Sequence, residues 1–139
     1  MRRYVIASHA HFAQGIKESV ELLAGAREDV VSLSMFVDGR DDIAAEAARI
    51  VEEASEEDEL VICTDLFGGS VNNEFTKVLQ RRPNTYLVTN MNLPLLIQLL
   101  FSDPAAPIAS TIREIVAADD TRVKFINDLI SDGDEEEDF

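Results

Sequence analysis

The chain alternates short apolar runs with longer amphipathic stretches. Four runs, "RYVIAS", "VVSLSMFV", "ELVICTD" and "TYLVT", have the length and composition of β-strands. Between them, apolar residues recur at helical spacing, as at Ile43, Ala47 and Ile50. Strands that alternate with helices predict an α/β fold, here a single three-layer domain with a mostly parallel central sheet and helices on both faces.

Local signals place the ends of several elements. Gly25 is expected to stop the first helix, and Asp38-Gly39 to close the second strand. Asn92 is an N-cap candidate for the helix "NLPLLIQLLF". The segment "RVKFIN" is a candidate short final strand. The expected organisation is one domain over residues 1–130 and an acidic, solvated tail over residues 131–139.

Composition narrows the class of protein. With 139 residues and 46% hydrophobic content, one domain with a core is expected. No apolar run reaches the roughly 18 residues of a membrane span. The single cysteine, Cys63, excludes an internal disulfide and favours a cytoplasmic protein, with Cys63 a buried apolar residue rather than a catalytic thiol. A net charge of −15 argues against binding to nucleic acid or anionic membranes.

Three polar clusters follow predicted strands: "SHAH", "TDLFGGS" and "TNMNLP". In a parallel sheet, ligands bind outside the carboxyl ends of the strands, so these clusters should meet at one edge. Gly68 and Gly69 can direct backbone N–H groups at a ligand, and Ser70 lies where a helix start favours an anion. An ordinary turn with Ser70 as N-cap explains the same residues.

Asp65 ends a strand and can be a turn residue or the partner of a nearby histidine. A carboxylate that accepts from Nδ1–H leaves Nε2 with a free lone pair. Such a nitrogen can pass protons or hold a phosphoryl group, and the glycines and hydroxyls favour the second use. Neither a nucleophile-elbow serine nor a Walker motif is present, which argues against a hydrolase and a nucleotide donor.

A metal site is the alternative for "HAH". On an extended strand, His9 and His11 would share a face, and Asp65 could complete a zinc site. If the strand ends before His9, the two rings diverge. No metal and no cofactor are expected.

The segments "SHAHFAQGI", "TDLFGGSVNN" and "NMNLPLLIQLL" resemble the three signature regions of the mannose-family IIA domain of the bacterial phosphoenolpyruvate-dependent sugar phosphotransferase system. The resemblance extends from about Tyr4 to Phe101. It implies a phosphohistidine carrier that accepts a phosphoryl group from HPr and passes it to a IIB component. The phosphoryl group would then reach a mannose-family sugar entering through the membrane components IIC and IID.

The resemblance also implies roles for individual residues. His9 would be the phosphorylated nucleophile, and Asp65 its hydrogen-bond partner. The phosphoryl-binding residues would be Gly68, Gly69, Ser70 and Thr64, and His11 and Asn92 would support the site. This chain has Val71 where the family usually has proline, and function is expected to survive the change. It has Asn90 where the family usually has glycine, and because asparagine tolerates positive φ, the turn is expected to persist.

Two further expectations follow from the family. Such domains commonly form homodimers that exchange an antiparallel C-terminal edge strand, for which "RVKFIN" is the candidate, and this chain would be a free-standing IIA. The alternative function is a regulatory phosphocarrier, of the dihydroxyacetone kinase type or in signalling, that is not coupled to sugar transport.

Overall fold

Four parallel strands form the centre of the domain. The computed structural model describes residues 1–130, and its sheet has the order β2-β1-β3-β4. The strands are β1 (Arg2–His9), β2 (Val30–Met35), β3 (Glu59–Thr64) and β4 (Thr85–Val88). The all-parallel pairing confirms the predicted sheet, with β1 and β3 side by side in the middle.

Helices cover both faces of this sheet, which confirms the three-layer prediction. The helices are α1 (Phe12–Ala24), α2 (Ile43–Glu53), α3 (Ser70–Arg81), α4 (Leu93–Leu100), α5 (Ile108–Ala117) and the short α6 (Ile126–Leu129). Buried side chains of α1, α4 and α5 form one core with the sheet. Those of α2 and α3 form a second core on the opposite face.

Side chains of β1 alternate between the two cores. Tyr4 and Ile6 join the core under α1, whereas Val5 and Ala7 join the core under α2 and α3. Strands covered on both faces read as continuous apolar runs. Cys63 lies in the first core as predicted, and its burial raises the pKa of its thiol to about 12.

The turn and cap signals also proved reliable. Gly25 ends α1 with φ at 89°, a conformation that favours glycine. Asn92 is the N-cap of α4, and its side chain accepts a hydrogen bond from Leu95 N at 2.9 Å. Val37 and Arg40 pair across the turn that contains Asp38 and Gly39.

The segment "RVKFIN" is not a strand in this single chain. Residues 122–125 pair with no other described strand, and Ile126–Leu129 forms α6. A strand requires a neighbour for its backbone hydrogen bonds, and none of the described strands lies beside this segment. The predicted acidic tail, residues 131–139, lies outside the described residues. No helix within residues 1–130 has the length and apolar character needed to cross a bilayer.

Candidate functional site

The chain turns sharply at the carboxyl end of every strand. A residue with left-handed backbone lies in the loop after each one: Ala10 (φ 52°), Phe36 (φ 67°), Gly68 (φ 80°) and Asn90 (φ 56°). Only glycine takes this conformation freely, so three of the four positions carry a conformational cost. The polar clusters predicted to meet are thereby folded back over one edge of the sheet.

His9 is the last residue of β1 and is bound by Asp65 from the end of the adjacent β3. Asp65 Oδ2 accepts from the His9 backbone N–H at 2.8 Å and lies 2.9 Å from ring Nδ1. An ionised carboxylate only accepts hydrogen bonds, so Nδ1 carries the proton and Nε2 keeps its lone pair. Leu66 N donates to the other oxygen of Asp65 at 3.1 Å, which fixes the carboxylate.

Exposure differs between the two partners. The side chain of Asp65 is 11% exposed, whereas that of His9 is 38% exposed. The carboxylate is therefore sheltered, while the imidazole is accessible to a reacting group from outside.

The glycine-serine segment lies directly against the His9 ring. A Cβ on Gly69 would come within 3.0 Å of His9 Cε1, so the ring occupies space that only glycine leaves free. Ser70 Oγ lies 3.4 Å from His9 Nε2. The N-cap of α3 is Gly69, not Ser70 as the ordinary-turn alternative proposed, and no side chain caps this helix start. Its free N–H groups favour an anion beside Nε2.

The two departures from the family pattern fit locally. Val71 is fully buried in the core beneath α3, and the helix begins at Ser70 without a proline. Asn90 takes the left-handed conformation predicted for it. Its Oδ1 also accepts from Phe67 N at 3.2 Å, which joins the loop after β4 to the glycine-serine loop.

Thr64 and Asn92 both use their side chains to hold the loops around the site. This agrees with the supporting role expected of Asn92 but not with the direct phosphoryl contact expected of Thr64. Thr64 is fully buried, and its hydroxyl bonds to Asn72 Oδ1 and pairs with the Thr89 hydroxyl, both at 2.9 Å. Asn92 caps α4 and donates from Nδ2 to Thr121 O at 2.7 Å. Their hydrogen-bonding groups are used to hold the loops, so we assign them supporting contacts.

His11 bonds to a different carboxylate from His9. Its Nε2 lies 2.8 Å from Asp38 Oδ2, and both side chains are exposed. β1 continues through His9, so the strand does not end before His9 as the second alternative supposed. The left-handed Ala10 follows, and the two histidines bond to different carboxylates, Asp65 and Asp38. Within residues 1–130, no three His, Cys, Asp or Glu side chains cluster in a way that could hold a metal ion.

Sequence reasoning missed Phe36. Its ring centroid lies 5.5 Å from that of His9, and the two planes are 35° apart. The available signal was an aromatic residue at the end of the second apolar run, just before the Asp38-Gly39 turn. Three further exposed apolar side chains belong to segments at this edge: Phe12, Leu66 and Phe67.

The fold is that of the IIA components of the sugar phosphotransferase system, a class of phosphotransferase components. The chain belongs to this family, because the family described as "PTS system fructose IIA component" matches residues 3–118. A curated relative, the "PTS system fructose-specific EIIA component" of Bacillus subtilis (strain 168), is 23% identical over 97 residues, which are 69% of this chain and 66% of that protein.

Solved structures agree with this assignment. A protein of Klebsiella pneumoniae subsp. pneumoniae MGH 78578, described as a permease of the phosphoenolpyruvate-dependent sugar phosphotransferase system, is 36% identical with a TM-score of 0.86, and 93% of each chain is covered. The mannose/sorbose-specific IIA subunit from Enterococcus faecalis has a TM-score of 0.77 at 22% identity, with 89% of this chain and 93% of that one covered. This second likeness shows the shared fold.

Proposed function

We propose that this chain is a phosphohistidine carrier that holds a phosphoryl group on Nε2 of His9. The observation that carries the proposal is the double contact of Asp65 with the His9 backbone and Nδ1, which leaves Nε2 as the free ring nitrogen. Ser70 and the start of α3 supply donors where the phosphoryl oxygens would lie.

The transfer needs no cofactor. The Nε2 lone pair attacks the phosphorus of a donor phosphohistidine, and the donor P–N bond breaks with its electron pair returning to the donor ring. The imidazolium character that develops on His9 is stabilised by the carboxylate of Asp65. In the second step, a nucleophile of the next acceptor attacks the phosphorus, and the P–Nε2 bond breaks with its electron pair returning to the His9 ring.

The surroundings of His9 suit protein partners. Four apolar side chains are exposed in the segments that follow β1, β2 and β3: Phe12, Phe36, Leu66 and Phe67. Exposed aromatic residues near a reactive group favour docking of another protein. The net charge of −15 favours a donor with a basic surface.

We assign HPr as the phosphoryl donor and a IIB component as the acceptor. With these partners, the chain would act in the cytoplasm. The final acceptor would be a mannose-family sugar that enters through IIC and IID.

A homodimer is part of the proposal. Val123, Phe125, Ile126 and Leu129 are apolar and exposed in the single chain, and Val123 is 93% exposed. A second copy that paired with residues 122–127 would bury these side chains and supply the missing backbone partners.

Phosphorylation of the purified protein by phosphoenolpyruvate, enzyme I and HPr tests the proposal. We expect one acid-labile phosphoryl group that chases onto a IIB component when one is added. Absence of labelling by phospho-HPr would contradict the carrier role. Labelling without any transfer to IIB would favour the regulatory alternative.

A further inference from the structure

Phe36 is an aromatic side chain in contact with the proposed reactive ring. The two ring centroids are 5.5 Å apart with planes 35° apart, a separation typical of aromatic pairs in contact. Phe36 is 45% exposed, so it is accessible to solvent while its ring lies beside that of His9. Asp65 contacts the imidazole at Nδ1, Gly69 lies against Cε1, and Phe36 is a third residue packed beside the ring.

The backbone that presents Phe36 is strained. Phe36 has φ at 67°, a region in which a bulky residue is an outlier and which persists only where the surrounding structure enforces it. The hydrogen bond from Phe36 N to Arg40 O and the pairing of Val37 with Arg40 enforce it here. The same turn contains a second left-handed residue without glycine's freedom, Asp38 at φ 57°.

A side-chain contact ties this turn to the loop of the reactive histidine. His11 Nε2 bonds Asp38 Oδ2 at 2.8 Å, and Ala10 N donates to Met35 O at 2.8 Å. The residues after β1 therefore hold Met35 and Asp38, which lie on the two sides of Phe36. This gives His11 an indirect contact with the site, through Asp38 and the turn.

We propose that Phe36 is a positioning residue that covers one side of His9 and slows the loss of its phosphoryl group to water. The inference rests on the proposed carrier function and adds a specific role for a residue outside the polar clusters. A carrier is useful only if the phosphoryl group waits for its protein acceptor. An apolar ring beside the imidazole excludes water and fixes the ring in one orientation.

The reaction that Phe36 opposes is hydrolysis. A water oxygen bonds to phosphorus while the P–Nε2 bond breaks, and the electron pair of that bond returns to Nε2. The products are inorganic phosphate and neutral His9, with the protons of water shared between solvent and phosphate. Transfer to a docked protein acceptor replaces the water by the acceptor's own nucleophile, so covering the site in the free carrier does not prevent transfer.

The lifetime of phosphorylated His9 tests the inference. The protein is phosphorylated in two ways, by phospho-HPr and chemically by phosphoramidate, and the decay of His9-bound phosphate is followed by ³¹P NMR with site mapping. The variants are Phe36→Ala, Phe36→Gly and Phe36→Tyr. Phe101→Ala is the control, because Phe101 is also an exposed aromatic residue but follows the far end of α4.

We expect Phe36→Ala and Phe36→Gly to shorten the half-life about threefold or more because water gains access, and Phe36→Tyr to restore it. Phe36→Gly should unfold at a temperature no lower than Phe36→Ala, since glycine accepts the left-handed backbone. This separates the effect of the ring from the stability of the fold.

Two results would overturn the inference: an unchanged half-life in both truncated variants, or a short half-life in Phe36→Ala that Phe36→Gly restores. The second would assign the effect to the backbone. If phospho-HPr does not label wild-type His9, the proposed function fails. The half-lives after chemical labelling still decide the role of Phe36.

Discussion

Asp65 holds His9 at two atoms with one oxygen: Oδ2 contacts the backbone N at 2.8 Å and ring Nδ1 at 2.9 Å. The first contact fixes where β1 ends relative to β3, and the second fixes the rotation of the ring. One carboxylate thus sets position and tautomer together. This relationship makes Nε2 the only ring nitrogen available for chemistry.

Asp65→Asn should lower the rate of His9 phosphorylation by about 100-fold or more. An amide can donate to Nδ1, which favours the tautomer with its proton on Nε2 and removes the attacking lone pair. The charge that stabilises the imidazolium is lost as well. A quenched time course of phosphotransfer from phospho-HPr measures the rate, and ¹⁵N NMR of the His9 ring reports the tautomer.

Asp38→Asn is the matched control, because it also removes a carboxylate bonded to a histidine, but at the exposed His11. Its effect on the rate should stay within about tenfold, as expected of an exposed pair. A loss as large as that of Asp65→Asn would show that the charge of the whole edge matters, not the contact with Nδ1.

Gly69→Ala should displace the His9 ring. The new Cβ would lie 3.0 Å from His9 Cε1, and the ring must move by a few tenths of an ångström away from Asp65 or Ser70. Because φ at Gly69 is −76°, alanine causes no backbone strain. We expect the phosphorylation rate to fall about tenfold while the unfolding temperature hardly changes.

Gly15→Ala is the control for this substitution. Gly15 lies inside α1, and a Cβ there meets no atom within 4 Å. It should stabilise the fold by about 0.5–1 kcal/mol and leave phosphotransfer unchanged. Equal rates for the two alanine variants would count against close packing of His9 on Gly69.

Thr64→Val should mainly lower stability, whereas Ser70→Ala should mainly lower the rate of phosphotransfer. Thr64→Val leaves Asn72 and Thr89 without their buried partner and should lower the free energy of unfolding by about 1–3 kcal/mol. Ser70→Ala removes a hydroxyl 3.4 Å from Nε2 and should slow phosphotransfer with little change in stability. Urea titrations and transfer rates on both variants check this. A stable but inactive Thr64→Val would restore Thr64 to the phosphoryl-binding set.

Cys63 should make the fold less stable in alkali. Burial raises the pKa of its thiol to about 12 in the folded state, above the ordinary 9.0. The stability it contributes is fully present below the lower pKa and is lost as pH rises through this window. Cys63 lowers the free energy of unfolding by at most about 1.4 kcal/mol per pH unit in this window. The free energy of unfolding of Cys63→Val, measured by urea titration at several pH values in this window, should fall less steeply with pH than that of the wild type. An equally steep fall would contradict the assignment.

Much of the fold was predictable from the sequence, because it rests on local signals. Apolar runs identified the four strands, and Gly25 and Asn92 marked helix ends that the structure confirms. Parallel topology predicted that the loops of His9 and Asp65 would meet at one edge, and the family resemblance implied that the two residues pair.

The remainder depended on three-dimensional packing. The buried Thr64 hydroxyl is bonded to Asn72 and Thr89, which are eight and 25 residues away in sequence. The contact of Phe36 with His9 requires a strained turn, and local preference argues against that conformation. Residues 122–125 were predicted as part of a strand, but they pair with none of the described strands, and the availability of a neighbouring strand cannot be read from local sequence.

Mass mapping of the phosphoryl group after incubation with phosphoenolpyruvate, enzyme I and HPr tests the central claim most directly. The wild type, His9→Gln and His11→Gln should be compared under alkaline conditions that preserve phosphohistidine. We predict label on His9 in the wild type and in His11→Gln, and none in His9→Gln. Label that persists in His9→Gln and disappears in His11→Gln would contradict the account.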